Sequence, residues 1–239
     1  MQNILFTKLF SHCCRERICP VCHIPFIPLT INSVGKYLCA TCANKIIVKP
    51  KYFCHLCGHA LMTEARTCLS CLVNPPVWNE LYYYAPYEGF LKELVLHYKY
   101  SKRFSLIPFF TFCLSEASLF VAPYDLFIPM PRHEKRLVQE GWNHILELCR
   151  EFQKVCCKPL AIHSLERTRY TTPQAGLSLD QRLKNPLKSF SAKGVRGKRV
   201  LLLDDVMTSG GTAKHATLAL KKAGAEHVGI LLIARAAYH

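Results

Sequence analysis

Four Cys-x-x-Cys pairs in the first third of the chain constrain the fold more than any other feature of the sequence. Ten of the 14 cysteines lie before residue 72, and eight of them form the pairs Cys19/Cys22, Cys39/Cys42, Cys54/Cys57 and Cys68/Cys71. Two intervening residues let both thiolates of one turn bind the same ion, and two such turns complete the tetrahedral sulfur set of structural zinc. We therefore predict that metal, rather than a core of large side chains, holds this region together.

The order of the pairs leaves two arrangements of the metal sites open. Gaps of 16 and 10 residues separate the first pair from the second and the third from the fourth, in or near the range of zinc ribbons. The simplest prediction is two sequential sites, although a cross-braced pairing also fits the spacing. A closed sulfur set has no position for substrate, which indicates structural sites. Other histidines and cysteines nearby could replace a thiolate, but we expect them to be solvated or to lie outside the metal ligands: His12, Cys13, Cys14, His23, His55 and His59.

Asn74-Pro75-Pro76 ends the cysteine-rich region, because consecutive prolines stop helices and central strands. We place the domain boundary there, with a double zinc-ribbon domain at 1–76 and a second domain at 77–239. In the second domain, strand-like and helix-like segments alternate: strands at 77–84, 125–129, 200–203 and 228–233, and helices at 90–98, 145–155 and 212–223. This alternation predicts an α/β fold with a largely parallel sheet flanked by helices.

The most specific motif of the second domain runs from Val200 to Thr212. Asp204 and Asp205 follow a buried strand, at the carboxyl edge where open α/β sheets bind ligands. A loop of small and hydroxyl residues then leads into a helix, whose free amides and dipole favour a phosphate. Since carboxylates repel phosphate, their predicted targets are ribose hydroxyls, reached directly or through magnesium. The motif therefore predicts a phosphorylated ribose, held by a loop of Thr208, Ser209, Gly210, Gly211 and Thr212.

These 13 residues resemble the signature of type I phosphoribosyltransferases. The resemblance implies binding of 5-phosphoribosyl 1-pyrophosphate with magnesium, the 5-phosphate lying on the loop at 208–212 and the ribose hydroxyls at Asp204 and Asp205. A proline-stiffened segment at 128–136 also resembles the pyrophosphate loop of that family. Its three cations are Arg132, Lys135 and Arg136.

Over almost its entire length the chain resembles the ComF family. The double cysteine ribbon and the phosphoribosyl signature carry this resemblance, with motifs at 84–89, 99–100, 129–136, 141–144, 167–169, 172–178 and 182–185. It implies a role in natural transformation, or competence: DNA uptake and handling of single-stranded DNA on the cytoplasmic side, beside a helicase-like competence protein and the inner-membrane uptake machinery. The family usually reads Gly-Phe-Asn-Gln at 141–144, so His144 replaces an amide that both donates and accepts hydrogen bonds. Ser209 stands where the family has a second threonine.

The net charge of +15 fits an anionic partner such as nucleic acid. Basic side chains in the ribbons, together with a basic segment that includes Phe190, could follow a single-stranded backbone, although a solvated loop is an equal interpretation of that segment. The candidate contacts are Lys45, Lys49, Lys51, Arg182, Lys184, Lys188 and Arg199. The first ten residues lack the features of a signal peptide, and the apolar run at 104–114 is too short for a membrane span. We therefore expect a cytoplasmic protein.

More than one function is compatible with these motifs. The first hypothesis is a competence protein that binds single-stranded DNA and a phosphoribosyl diphosphate. The alternative is an active type I phosphoribosyltransferase that transfers the 5-phosphoribosyl group to a nitrogenous acceptor. A ligand sensor whose ribose-phosphate site tunes DNA or protein contacts is a third interpretation. The sequence shows no recognisable base pocket and assigns no catalytic residue.

Overall fold

A computed structural model of the 239-residue chain describes residues 16–28, 33–119, 123–132, 137–138, 141–168 and 189–236. The strands in these ranges are β1 (Arg17–Ile18), β2 (Pro25–Phe26), β3 (Glu80–Pro86), β4 (Leu126–Pro129), β5 (Leu165–Arg167), β6 (Phe190–Ala192), β7 (Arg199–Met207) and β8 (His227–Arg235). The α-helices are α1 (Ala40–Ala43), α2 (Leu69–Val73), α3 (Gly89–Ser101), α4 (Ile107–Ser118), α5 (His144–Cys156) and α6 (Gly211–Lys222). Short 3-10 helices occupy Val34–Lys36 and Phe104–Leu106.

The strands that follow residue 76 include a four-stranded parallel sheet, in the order β3-β8-β7-β4. The two inner strands, β7 and β8, are nearly continuous apolar runs, as expected for strands covered on both faces. Leu201 pairs with Phe127 on one side and with Gly229 on the other. The predicted α/β fold is confirmed, and the acidic end of β7 lies at the carboxyl edge of the sheet.

The two faces of the sheet pack against different elements. On the first face, Leu201 and Leu203 join a core formed with α3, α4, α5 and the first ribbon. On the second face, Val200 and Leu202 join a core formed with α6 and the β5–β6 hairpin. We call these the first and second face throughout. The alternation of side chains along β7 therefore separates two cores.

The predicted elements are present with shifted ends, and the structure adds elements that were not predicted: α4, β5 and β6 beyond residue 76, and β1, β2, α1 and α2 in the ribbons. The segment predicted as a strand from residue 77 begins to pair only at Glu80, because Trp78 instead turns toward the second ribbon and donates to the Leu56 carbonyl. The longest of these additional elements is α4, which includes residues 107–114 of the apolar run; Pro108 lies in its first turn, where proline is tolerated. Within the part of the chain that the structure describes, no helix has the length and apolar character needed to cross a bilayer.

Candidate phosphate-binding site and metal ribbons

The eight paired cysteines form two tetrads, Cys19/Cys22/Cys39/Cys42 and Cys54/Cys57/Cys68/Cys71. In each tetrad the sulfur atoms lie within 4.8 Å of one another. Cys22 Sγ is 3.6 Å from Cys39 Sγ, and Cys57 Sγ is 3.7 Å from Cys68 Sγ. Four sulfurs around zinc at about 2.3 Å would be roughly 3.8 Å apart, so both tetrads fit the ion. The sequential pairing is confirmed, and among the described residues no histidine joins either tetrad.

Each tetrad combines a turn with the first residues of a short helix. Cys39 and Cys68 are the N-cap residues of α1 and α2, which carry Cys42 and Cys71. A two-residue gap at a helix start brings both sulfurs to one side of the first turn. The local structure thus explains why the second pair of each ribbon converges on the same point as the first pair.

The candidate phosphate loop joins β7 to α6 at residues 208–212. Gly210 has a φ of +77° at the N-cap of α6. A side chain here would be strained, and a Cβ atom would lie 3.1 Å from the Trp78 ring and 3.4 Å from Met207 Sδ. No side chain among the described residues caps α6. The first amides of the helix are therefore available to an anion, and the helix dipole favours negative charge there.

The pocket above this loop is lined by six of the predicted ligand contacts, five from the loop and one carboxylate. Its lining includes the whole loop at 208–212, Asp204 from the end of β7 and Met130 from the end of β4. All of these lie at the carboxyl edge of the parallel sheet, where α/β proteins bind their ligands. The arrangement offers amides and hydroxyls to a phosphate, with a carboxylate beside it.

The two neighbouring aspartates face different surroundings. Asp204 lines the pocket, whereas Asp205 is 3% exposed and is bound by side chains of the first face. Lys99 Nζ is 2.8 Å from Asp205 Oδ1, and His144 Nε2 is 2.6 Å from Oδ2. Both oxygens of Asp205 therefore already have partners, whereas Asp204 is the carboxylate presented to a ligand.

The surroundings shift the pKa values of the two aspartates in opposite directions. Burial and the neighbouring charge of Asp205 raise the pKa of Asp204 to about 7. Burial acts the same way on Asp205, but the hydrogen bond from His144 and the charge of Lys99 outweigh it and hold its pKa below the ordinary aspartate value. One carboxylate is thus firmly ionised, and the other takes up a proton more readily.

The Gly141-Trp142-Asn143-His144 motif positions the partners of Asp205. The Asn143 side chain caps α5 by accepting from the Leu146 amide at 3.1 Å, and this places His144 at the start of the helix. Tyr98 of α3 donates its hydroxyl to the His144 carbonyl at 2.7 Å. The motif therefore fixes the ring of His144 next to Lys99, the residue that follows Tyr98.

His144 offers one nitrogen as an acceptor and the other as a donor to its two neighbours. The Arg132 guanidinium can only donate, so His144 Nδ1 accepts from it, while Nε2 donates to the carboxylate of Asp205. A glutamine amide offers the same pair of functions. Arg132 thus reaches Asp205 through the imidazole rather than extending from its loop into solvent.

The other predicted cations that the structure describes are not gathered on one surface. Lys45 and Lys51 are exposed, but Lys49 is half-buried, with its Nζ 4.7 Å from the centre of the Phe53 ring. Arg199 begins the nine-residue β7, roughly 26 Å from the phosphate loop, and donates from Nε to the Pro123 carbonyl at 2.9 Å. The remaining predicted cations lie outside the described residues: Lys135, Arg136, Arg182, Lys184 and Lys188.

Four residues of the site were not predicted to belong to it: Lys99, His144, Trp78 and Arg235. Lys99 lies in the motif at 99–100 that resembles the ComF family, but the sequence alone does not indicate its function. Arg235 is 3% exposed and donates to the carbonyls of Met207 and Thr208, where the phosphate loop begins. The signal in the sequence is an arginine at the end of an otherwise apolar strand, where a charged side chain is unusual.

The sequence of the chain matches one protein-family model and several named bacterial proteins. A family model described as "Phosphoribosyl transferase domain" matches residues 159–237. Competence protein F of Haemophilus influenzae is 27% identical over 83% of this chain and 90% of its own length. DNA utilization protein YhgH of Escherichia coli K12 is 25% identical over 90% of this chain and 96% of its own length. These matches confirm the resemblance to the ComF family over most of the chain.

Solved structures also match part of the chain. One is titled "Structure of the allosteric regulatory enzyme of purine biosynthesis", with 19% identity and a TM-score of 0.41 over 57% of this chain. This chain spans 29% of that protein.

Proposed function

We propose that this chain acts in competence or DNA utilization, as a protein that binds single-stranded DNA and 5-phosphoribosyl 1-pyrophosphate. The named relatives support the first part, and the phosphoribosyl transferase domain supports the second. The observation that most supports binding of this ligand is the pocket that the loop at 208–212 and Asp204 line together.

In this proposal the 5-phosphate lies on the loop at 208–212. The amides at the start of α6 and the hydroxyls of Thr208, Ser209 and Thr212 would hold its oxygens. Asp204 would meet the ribose hydroxyls, directly or through a magnesium ion, since hard cations prefer oxygen ligands. Binding of magnesium would favour the ionised form of Asp204, whose pKa is otherwise raised to about 7.

Asp205 would act through the cations that it holds. Lys99 and Arg132 are connected to it, one directly and one through His144. This keeps two positive groups beside the carboxyl edge of the sheet. They would complement the pyrophosphate of the ligand, although Asp205 itself would not contact it.

Calorimetry with 5-phosphoribosyl 1-pyrophosphate and magnesium tests the ligand proposal. We expect binding by the unmodified protein and a loss of about tenfold or more in affinity for Asp204→Ala, equivalent to one charge-assisted contact. Glu226→Ala removes the same charge from an exposed position before β8 and should keep the original affinity. Equal affinities for all three proteins, or no binding by the unmodified protein, would overturn the proposal.

The DNA proposal is supported by the charge of the chain and by exposed lysines in the connection between the ribbons. Lys45 and Lys51 are exposed and lie near aromatic rings, with Nζ 5.3 Å from the Phe90 centroid and 4.9 Å from the Tyr52 centroid. Cations beside aromatic rings can track a phosphate backbone while a base stacks nearby. Lys49 lies between them but is partly withdrawn, because its ammonium also donates to the Tyr83 carbonyl at 3.5 Å.

Mobility-shift titrations at several salt concentrations test the DNA proposal. We expect a salt-sensitive preference for single strands, and the double variant Lys45→Glu/Lys51→Glu should bind more weakly with a shallower salt dependence, by about 0.7 in log–log slope for each lost phosphate contact. The variant Lys158→Glu/Lys222→Glu makes the same charge change at exposed positions elsewhere. If both double variants lose affinity equally, the ribbon lysines have no specific role.

The second candidate function is an active phosphoribosyltransferase, favoured by the family match at 159–237. Such an enzyme would release pyrophosphate when the protein, magnesium and the ribosyl donor are mixed with a nitrogenous acceptor. We expect binding without pyrophosphate release. Release that depends on the acceptor would instead establish the enzyme.

A further inference from the structure

The first knuckle of the second ribbon, the turn at residues 54–58 that carries Cys54 and Cys57, is attached to the parallel sheet and its neighbours through its backbone. Four consecutive carbonyls of the knuckle accept hydrogen bonds from groups outside the ribbon. These bonds join the His55 carbonyl to the Leu81 amide at 2.7 Å, Leu56 to Trp78 Nε1 at 2.6 Å, Cys57 to Arg235 Nε at 2.8 Å, and Gly58 to the Tyr83 hydroxyl at 3.0 Å. The direction of each carbonyl depends on the fold of the knuckle, and that fold depends on the metal ligands Cys54 and Cys57.

Two of these four donors also hold the phosphate loop. Arg235 donates from a guanidinium terminus to the Met207 carbonyl at 2.9 Å and also to the Thr208 carbonyl. The Trp78 indole lies against Gly210, 3.1 Å from the position of a Cβ atom there. Arg235 therefore connects the knuckle to the beginning of the loop, and Trp78 connects it to the left-handed residue before α6.

Both connections are buried and closely packed. Arg235 is 3% exposed and Trp78 is 7% exposed. Gly58, with a φ of +80°, approaches so closely that a Cβ atom would lie 3.0 Å from Arg235 Cγ. Water cannot easily replace a lost partner in such a site, so a change in the knuckle must be met by a change in the side chains that hold the loop.

The first ribbon is attached in a different way. Leu38 is completely buried in the core of the first face, and the Tyr37 ring packs 5.1 Å from that of Phe112 in α4. These are side-chain contacts on α4 rather than backbone contacts to the donors that hold the phosphate loop. The first ribbon thus supplies a matched reference for the second.

We propose that occupancy of the second metal site sets the conformation of the phosphate loop, with Arg235 and Trp78 as the positioning residues that connect the two. The metal fixes the carbonyls of Leu56 and Cys57, these orient the two side chains, and the side chains hold Thr208 and Gly210. Loss of the second metal loosens the loop, and a ligand on the loop in turn strengthens metal retention, because coupling between two sites is reciprocal. The identity of that ligand rests on the proposed function above.

Hydrogen exchange tests the connection without any ligand. Cys68→Ser and Cys22→Ser each remove the most exposed ligand of one tetrad, leaving the other tetrad intact. We expect the amides at 208–213 to exchange about tenfold faster in Cys68→Ser than in Cys22→Ser. Equal exchange in the two variants, with zinc content confirming one ion in each, would overturn the proposal.

Metal release tests the same coupling from the other side. In Cys22→Ser the remaining zinc lies in the second ribbon, and in Cys68→Ser it lies in the first. We expect saturating 5-phosphoribosyl 1-pyrophosphate to slow release to a colorimetric chelator about tenfold in Cys22→Ser, within the usual range of such couplings, and to leave Cys68→Ser little changed. Equal effects on both ribbons would contradict the proposal.

Variants that keep all eight cysteines decide the matter if a cysteine variant does not fold. Trp78→Phe retains an aromatic ring but cannot donate to Leu56, and Arg235→Lys has one nitrogen where the arginine bridges Cys57 and Thr208. Each should speed exchange at 208–213 while the protein still holds two zinc ions. Tyr83→Phe removes the bond to the knuckle at Gly58 but leaves the bonds of Trp78 and Arg235 in place, so loop exchange should rise less than in either of those variants. If the exchange rate at 208–213 increased equally in all three variants, the cause would be general destabilisation, and the proposed connection would be wrong.

The two proposals fail in distinguishable ways. If the unmodified protein does not bind 5-phosphoribosyl 1-pyrophosphate in calorimetry, the proposed ligand is wrong, and the exchange experiment still decides whether the metal positions the loop. If the ligand binds but the loop exchanges equally in Cys68→Ser and Cys22→Ser, the coupling is wrong and the proposed function remains.

Discussion

The two faces of the sheet each carry one metal ribbon and one of the two neighbouring aspartates, yet they use different interactions to hold them. On the first face, apolar side chains of the first ribbon merge into the core of α3, α4 and α5, and Asp205 is enclosed by Lys99 and His144. On the second face, the knuckle of the second ribbon is held by hydrogen bonds to its carbonyls, and Asp204 opens onto the phosphate loop.

The two kinds of interaction respond differently to small movements of the ribbons. Apolar burial is non-directional, so the first face tolerates small movements as long as its area stays covered. Hydrogen bonds depend on angle and distance, so the second face transmits the geometry of the knuckle to its neighbours. Directional attachment therefore lies on the side of the sheet where a ligand would bind.

The largest effect is expected from the buried ion pair of the first face. Asp205→Ala leaves Lys99 in a mostly buried position without its carboxylate, which costs about 3–5 kcal/mol of unfolding free energy. Urea denaturation in the presence of excess zinc measures the loss. Asp204→Ala is the matched neighbour and should cost much less, because burial and Asp205 disfavour the ionised form of this carboxyl, and the bond it loses is the one from the Asp205 amide at 2.9 Å. Similar losses for both variants would abolish the distinction between the two aspartates.

A comparable loss is expected where the first ribbon enters the core. Leu38→Ala removes a fully buried side chain and should lower the free energy of unfolding by about 2–5 kcal/mol. Leu72→Ala makes the same change in the second ribbon, where the side chain is 65% exposed, and should alter stability by about 0.5 kcal/mol or less. If Leu38→Ala were as mild as Leu72→Ala, the first ribbon would not be held by apolar burial.

A smaller effect is expected from one hydrogen bond of the second face. Tyr83→Phe keeps the ring but leaves the Gly58 carbonyl without the hydroxyl at 3.0 Å, which should cost about 1–2 kcal/mol. Tyr52→Phe removes an exposed hydroxyl bonded to Glu64 at 3.1 Å and serves as the control, with an expected change of about 0.5 kcal/mol or less. Thermal unfolding at fixed zinc concentration distinguishes them, and equal midpoints would show that the knuckle does not depend on this bond.

The sequence predicted the parts of this arrangement that follow local rules. Cysteine spacing predicted both tetrads, and the run from Val200 to Thr212 predicted a strand, a glycine turn and a helix start. Periodicity also predicted the alternation of strands and helices. Each of these features depends on residues close together in the chain.

The connections between elements could not be predicted in the same way. Trp78 and Arg235 bond to backbone carbonyls, which every residue possesses, so their partners leave no mark in the sequence. The alternation along β7 directs Asp204 and Asp205 to opposite faces, but the packing of α3 decides which of them receives Lys99. Long-range geometry of this kind is visible only in the folded chain.

The smallest expected effect is a difference in the pH dependence of stability between the two aspartates. The pKa of Asp204 is raised in the fold to about 7, so its contribution is complete below the unfolded pKa of about 4 and is lost as the pH rises toward 7. The pKa of Asp205 is lowered, so its contribution is present above about 4 and is lost as the pH falls further.

Asp204→Asn should therefore flatten the decline in stability between pH 5 and about 7 while leaving the acid limb unchanged. Denaturation midpoints at fixed ionic strength and fixed zinc concentration measure both limbs. The Glu226→Gln variant removes an exposed carboxylate from the opposite edge of the sheet and should follow the unmodified protein throughout. A neutral-pH slope that is the same in Asp204→Asn as in the unmodified protein would mean that the fold does not raise the pKa of Asp204, and that the second face does not disfavour its carboxylate.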